Sequence, residues 1–129
     1  METALRSALI AWLAADVGLR AALNAVVEEA PARTSLPWLA ISASASTDWS
    51  TKTEAGRDVR VAFELHCRGD RADAAGALVS AIEARIAALP RDQPGFRVVM
   101  IQFLRGRAEQ RAAQTRAVLI EYRFRLIAG

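Results

Sequence analysis

RDVRVAFELHCRGDRADAAGALVSAIEARIAAL, residues 57–89, changes its hydrophobic period in mid-course, and that change decides the fold. Val59, Val61, Phe63, Leu65 and Cys67 alternate with Asp58, Arg60, Ala62, Glu64 and His66. A period of two is the mark of a strand with one face in a core. Beyond residue 70 the apolar spacing lengthens to three and four, through Leu78, Ile82, Ile86 and Leu89. That is a helical stripe. Asp70 and Asp73 stand where a helix begins, in capping-box spacing, and their charges suit its N-terminus. Pro90 ends the helix, because proline cannot continue the backbone ladder.

Downstream, residues 96–104 (FRVVMIQFL) read as an apolar strand. RGRAEQRAAQT, 105–115, reads as a long polar connection. Residues 116–127 (RAVLIEYRFRLI) predict a last strand with Val118, Ile120, Tyr122, Phe124 and Leu126 on one face. Upstream, STDWSTKTEAGR (46–57) reads as a loop and PWLAISASAS (37–46) as a strand bounded by proline. Residues 29–36, containing Pro31, are a connector. Residues 3–28 predict a helix through Leu5, Leu9, Trp12, Leu13, Leu23 and Val27, broken at Asp16 and Gly18, with Asp16 placed to cap a second short helix. The order is helix, strand, strand, helix, strand, strand.

Strands joined by loops pair most simply as antiparallel hairpins. The expected fold is therefore α+β, a four-stranded antiparallel sheet with two helices packed on one face, in a single domain spanning 1–129. The other face carries Arg60, Glu64, His66, Glu121, Arg123 and Arg125, which can pair across strands.

The single cysteine, Cys67, excludes an internal disulfide. The N-terminal stretch is interrupted by Arg6, Asp16 and Arg20, which fits neither a signal peptide nor a membrane span. Net charge is +3 and comes almost wholly from arginine, Lys52 being the only lysine. Residues 97–129 hold seven arginines against two glutamates, so the C-terminal third carries the excess.

Enzyme motifs are absent: no phosphate-binding glycine loop, no GxSxG, no HExxH. His66 and Cys67 are strand neighbours that point to opposite faces and cannot easily share a metal; a core-facing Cys67 would be protonated and inert. Helix capping accounts for Asp70 and Asp73, and solvation for Glu28 and Glu29. No catalytic, cofactor or metal residue is expected. Nucleic acid is an alternative partner for the C-terminal arginines, but a stacking platform needs rings and guanidiniums on one face, and Tyr122 and Phe124 alternate with Arg123 and Arg125. A generic oligomeric adaptor domain is the other alternative.

Two segments stand out as interface candidates. The loop around Trp49 and Lys52 offers an indole in polar company, as an anchor for a partner or folded back on its own hairpin. The segment with Arg105, Arg107 and Arg111, ending at Arg116, has too little apolar content to hold itself by burial.

VRVAFELHCRGDRADAAGALVSAIEARIAAL, with the opening helix and the proline-led strand PWLAIS, resembles the tail terminator, or tail-completion, family of siphophages and phage-like gene transfer agents. The likeness spans nearly the whole chain. The aromatic residue that usually stands near the end of that family's second strand is replaced here by His66-Cys67. The resemblance implies no catalytic residues and no cofactor. It implies a homo-hexameric ring at the tail–neck junction of a phage-like particle, assembled in the bacterial cytoplasm. Such a ring caps the tail tube, ends its polymerisation and joins the tube protein to a head–tail connector or stopper, with DNA passing through without sequence readout and with no membrane partner.

Overall fold

The computed structural model describes residues 1–29, 34–69 and 72–129. Its elements are α1 (Glu2–Ala14), α2 (Val17–Ala22), β1 (Ala25–Val27), β2 (Trp38–Asp48), β3 (Gly56–Arg68), α3 (Ala72–Ala87), β4 (Asp92–Gln93), β5 (Phe96–Arg111), a 3-10 turn (Ala112–Gln114) and β6 (Thr115–Ala128). The strands form one sheet in the order β1-β2-β3-β6-β5-β4. β1 runs parallel to β2, and every other pairing is antiparallel.

The sheet is thus six-stranded and mixed, not the four-stranded antiparallel sheet the sequence predicts, and it carries three helices rather than two. Three local causes account for the difference. The first helix stops at Ala14; Asp16 then accepts a hydrogen bond from the Leu19 amide (3.0 Å) and starts α2 afresh. After Leu23 the chain leaves the helix extended, so residues 25–27, assigned to helix by their spacing, become β1 beside Trp38–Ala40. Asp92–Gln93 adds a short rung against Phe96–Arg97. The connector around Pro31 and the capping residue Asp70 fall outside the described residues, while Asp73 lies in the first turn of α3.

The third correction concerns residues 105–115. They are not a loop: β5 continues through Arg111, paired rung by rung with β6 from Arg105↔Glu121 to Arg111↔Thr115. A 3-10 turn closes the hairpin, with Gln114 at φ 55°. The predicted loop between β2 and β3 is also shorter, because β2 runs on to Asp48 and β3 begins at Gly56. Gly56 is required where it stands, since a Cβ there would lie 2.4 Å from the Trp49 carbonyl oxygen and 2.9 Å from that of Leu126.

The centre of the sheet follows its alternation. Val59, Val61, Phe63 and Leu65 on β3 and Ile120, Phe124 and Leu126 on β6 are buried, and they share one core with Leu5, Leu9 and Leu13 of α1 and Ile82 and Ile86 of α3. All that apolar surface lies on one side, so the helices pack there and leave the opposite sheet face uncovered.

α1 and α3 are joined by a reciprocal clasp. The Trp12 indole donates to the Arg85 carbonyl (2.7 Å), Arg85 Nε donates to the Trp12 carbonyl (2.8 Å), and the Arg85 guanidinium stacks 3.3 Å from the centre of the Trp12 ring. Asp16 approaches the same guanidinium at 3.8 Å.

Arg85→Ala removes the stack and the Trp12 carbonyl's partner together. It should cost about 2 kcal/mol in urea unfolding, with Arg85→Lys recovering little because a lysine cannot stack and donate in one plane. Phe63→Ala, at the centre of the core, should cost about 3–5 kcal/mol by the same measurement.

Candidate functional site

The face of the sheet away from the helices is built by the polar half of each alternating strand. β3 contributes Asp58, Arg60, Glu64 and His66, and β6 contributes Glu121, Arg123 and Arg125. Register then places Arg105, Arg107, Glu109 and Arg111 of β5 alongside them, opposite Glu121, Leu119, Ala117 and Thr115. A residue opposite another in an antiparallel pair shares its face, so these side chains form one surface.

Most of its arginines have carboxylate partners. Arg105 Nε lies 3.5 Å from Glu121, Arg107 Nε 3.2 Å from Glu109, and Arg111 reaches both Glu64 (3.5 Å) and Glu109 (3.7 Å). Asp58 is shared: Arg125 Nε donates to Oδ2 at 3.1 Å, while Arg123 Nε lies 3.3 Å from Oδ1. The Arg123 contact lacks hydrogen-bond alignment, so charge rather than a directed bond holds it. Arg60 stands directly opposite Arg123, so Asp58 also relieves a like-charge rung. Glu64 contacts His66, whose ring stacks on Trp38 of β2 (4.0 Å between centroids, 15° between planes). His66 is therefore half-buried under an aromatic lid, on the face away from buried Cys67.

The interface candidates fall into two groups at opposite ends of the sheet. Trp49 and Lys52 lie in the β2–β3 connection. Trp49 is half-buried; its amide donates to the Gly56 carbonyl (3.0 Å) and the Arg125 guanidinium stands 5.3 Å from its ring centre. Lys52 is exposed. Arg105, Arg107 and Arg111 occupy the far end of β5, exposed on a strand rather than a loop. Arg116 is apart from both groups. Its Nε is buried without a hydrogen-bond partner among the described residues, and it sits across from Cys67. Burial pushes the Cys67 thiol up, and the Arg116 charge opposes that only in part, which leaves an unreactive thiol.

Two features escaped the sequence. Asp58, whose carboxylate takes two arginines, looked like any polar strand residue. Val99 and Phe103 of β5 are 48% and 47% exposed, although their apolar run predicts burial. Phe103 packs edge-on against Tyr122 (5.5 Å) with its other side open. Among the described residues there is no cluster of metal-ligating side chains, and no helix is long and apolar enough to cross a membrane.

A family model described as "Tail completion protein gp17" matches residues 7–127. Among solved structures, a chain of the structure described as "Virion of native gene transfer agent (GTA) particle" superposes with a TM-score of 0.79 at 23% identity, covering 99% of this chain and 97% of that one. At that identity the likeness speaks for the fold. No curated protein matches the chain.

Two measurements probe the electrostatics. Asp58→Asn leaves Arg60, Arg123 and Arg125 facing one another, and should lower stability by about 2 kcal/mol, with added salt restoring part of the loss. The Tyr122 hydroxyl is pushed up to about 12 by burial and, secondarily, by the charge of Glu83. The unfolded chain releases that proton near pH 10, so stability is unaffected below pH 10 and falls as pH rises toward 12, by about 2–3 kcal/mol in all. Tyr122→Phe should flatten that alkaline slope in denaturant titrations, leaving only the contribution of other groups.

Proposed function

The chain belongs to the tail completion protein gp17 family, a structural family of virion assembly, and on that premise we propose that it works as a ring, with six copies, that caps the tail tube of a phage-like particle. The ring ends tube polymerisation and joins the tube protein to the head–tail connector or stopper at the tail–neck junction. It leaves a channel through which DNA passes without being read. Assembly takes place in the bacterial cytoplasm, and no chemistry is catalysed.

The observation that carries this reading is the uncovered sheet face. A channel that lets a duplex slide must not hold it, and phosphate contacts accumulate when several per subunit are repeated around a ring. Five arginines of this face, Arg105, Arg107, Arg111, Arg123 and Arg125, lie within 4 Å of a carboxylate of the same chain. A phosphate contact by any of these five would therefore compete with a pair already made. This argues against the nucleic-acid-binding alternative, which calls for free guanidiniums beside exposed rings. A generic adaptor domain would share the sheet but have no part in tail length.

Deletion of the gene in a particle-producing strain separates these readings. Overlong or headless tails with heads still made, and loss of DNA delivery, are the expected outcome. Normal particles would refute the terminator role. A binding constant for duplex DNA that falls steeply with salt would favour the nucleic-acid module instead.

A further inference from the structure

The sheet has two open edges, and both are long. β4 and the Val98 amide, which donates to the Arg91 carbonyl, cover the start of β5; among the described residues nothing pairs with its outer side from Met100 to Arg111. At the other margin, among the described residues, β1 covers only Trp38–Ala40 of β2, leaving Ile41–Asp48 open. Unpaired edges of this length are templates for another strand, and free-standing proteins usually blunt or cover them. Here each edge has a regular stretch beyond its bulge: Ala43–Asp48 on β2 and Arg105–Arg111 on β5.

We infer that the copies of the proposed ring are joined edge to edge, the Arg105–Arg111 stretch of β5 pairing antiparallel with Ala43–Asp48 of β2 in the next copy. The inference rests on the ring reading and supplies its joint. Four observations support it.

Strand direction agrees. β2 and β6 run one way and β3 and β5 the other, so a neighbour related by rotation about an axis along the strands presents β2 antiparallel to β5. The sheet then continues without a break in its alternation.

Side-chain size and charge agree. β5 brings Arg105, Arg107 and Arg111. β2 brings alanine, serine and threonine, with a hollow of about 210 Å³ on the uncovered face lined by Ala43, Ala45 and Ala62 between Arg60 and Glu121. Asp48 stands at one end of this edge, and Glu29 at the other beside Ser42, next to Glu28, which is already paired with Arg6 at 2.6 Å. A two-fold pairing of β5 with itself centred on Gly106 or Arg107 would instead set arginines against arginines.

The covering strands define the register. In a flush alignment Gly106 is level with Ile41, through Ile120 and Phe63, so the end of β5 would fall on the place β1 occupies. Sliding the neighbour by four to five residues clears β1. A slide of four also sets Arg105 opposite Thr47 and Arg107 opposite Ala45, on matching faces.

That slide closes a barrel. Four to five residues amount to about 13–17 Å, and the four long strands of one repeat are about 19 Å wide, so the strands tilt by about 35–40°. Closed barrels need a stagger of this kind and tilt of about 35–45°.

Particles made with Cys67→Ala, Ala45→Cys and Arg107→Cys in one chain, treated with a short thiol cross-linker, test the joint. A ladder of covalent oligomers rising to the full ring, absent with either new cysteine alone, is expected. Dimers from the Arg107→Cys single variant would show a two-fold edge and overturn the inference. So would a closed ring in the particles with no ladder, although the ring reading would then stand. Loss of the protein from otherwise normal particles would sink both. Should the variants fail to assemble, amide exchange on wild-type protein decides: amides of 41–48 and 104–111 should exchange at least tenfold more slowly in particles than in free chain, and equal rates would overturn the pairing.

Discussion

Everything in this molecule depends on the ladder between β3 and β6. Its register runs unbroken from Gly56↔Ile127 to Arg68↔Thr115, and its period of two sorts every side chain onto one of two surfaces. A slip of β6 by one residue would carry Phe124 into water and Arg125 under the helices. The apolar side recruits α1 and α3, and the polar side has to balance its own charges. Core and charged face are two products of a single register.

The balance is local. Asp58 is 15% exposed at its side chain and holds two guanidiniums that are themselves mostly covered. Glu64 links His66 of its own strand to Arg111 of β5, two strands away. These contacts tie the far end of the β5–β6 hairpin to the centre of the sheet, where helix packing does not reach. The hairpin end thus keeps its shape through ion pairs and backbone bonds, while its proximal half keeps shape through burial.

How far the sequence could be read follows from that division. Where a strand has one face in the core, as β3 and β6 do, alternation between Val59 and Leu65 or Val118 and Leu126 made it plain. Where helices do not cover the sheet, both sides of a strand are polar, so RGRAEQR in β5 carried no periodic signal and read as a connection. β1 was hidden for a different reason: Ala25, Val26 and Val27 continue the helical spacing of α1, and only the caps at Asp16 and Leu23 end it. The arginine pairing with Glu64, Glu109 and Glu121 was foreseeable from composition, because seven arginines crowd the last third. Asp58 was not, since nothing in sequence marks which carboxylate the register will place between two guanidiniums. The open edges were invisible too, since an edge is defined by the strands that stop short of it.

The length of the β3–β6 ladder also has a mechanical meaning. Thirteen rungs lie perpendicular to the strands. A pull along the strands cannot open them one at a time, as it would peel a hairpin from its end. It must shear them together, and forced failure is governed by the barrier to that step rather than by equilibrium stability. Stress applied along this direction is therefore borne by the backbone at the centre of the sheet, while the helices, hung on one side by Trp12, Arg85 and the core, carry little of it.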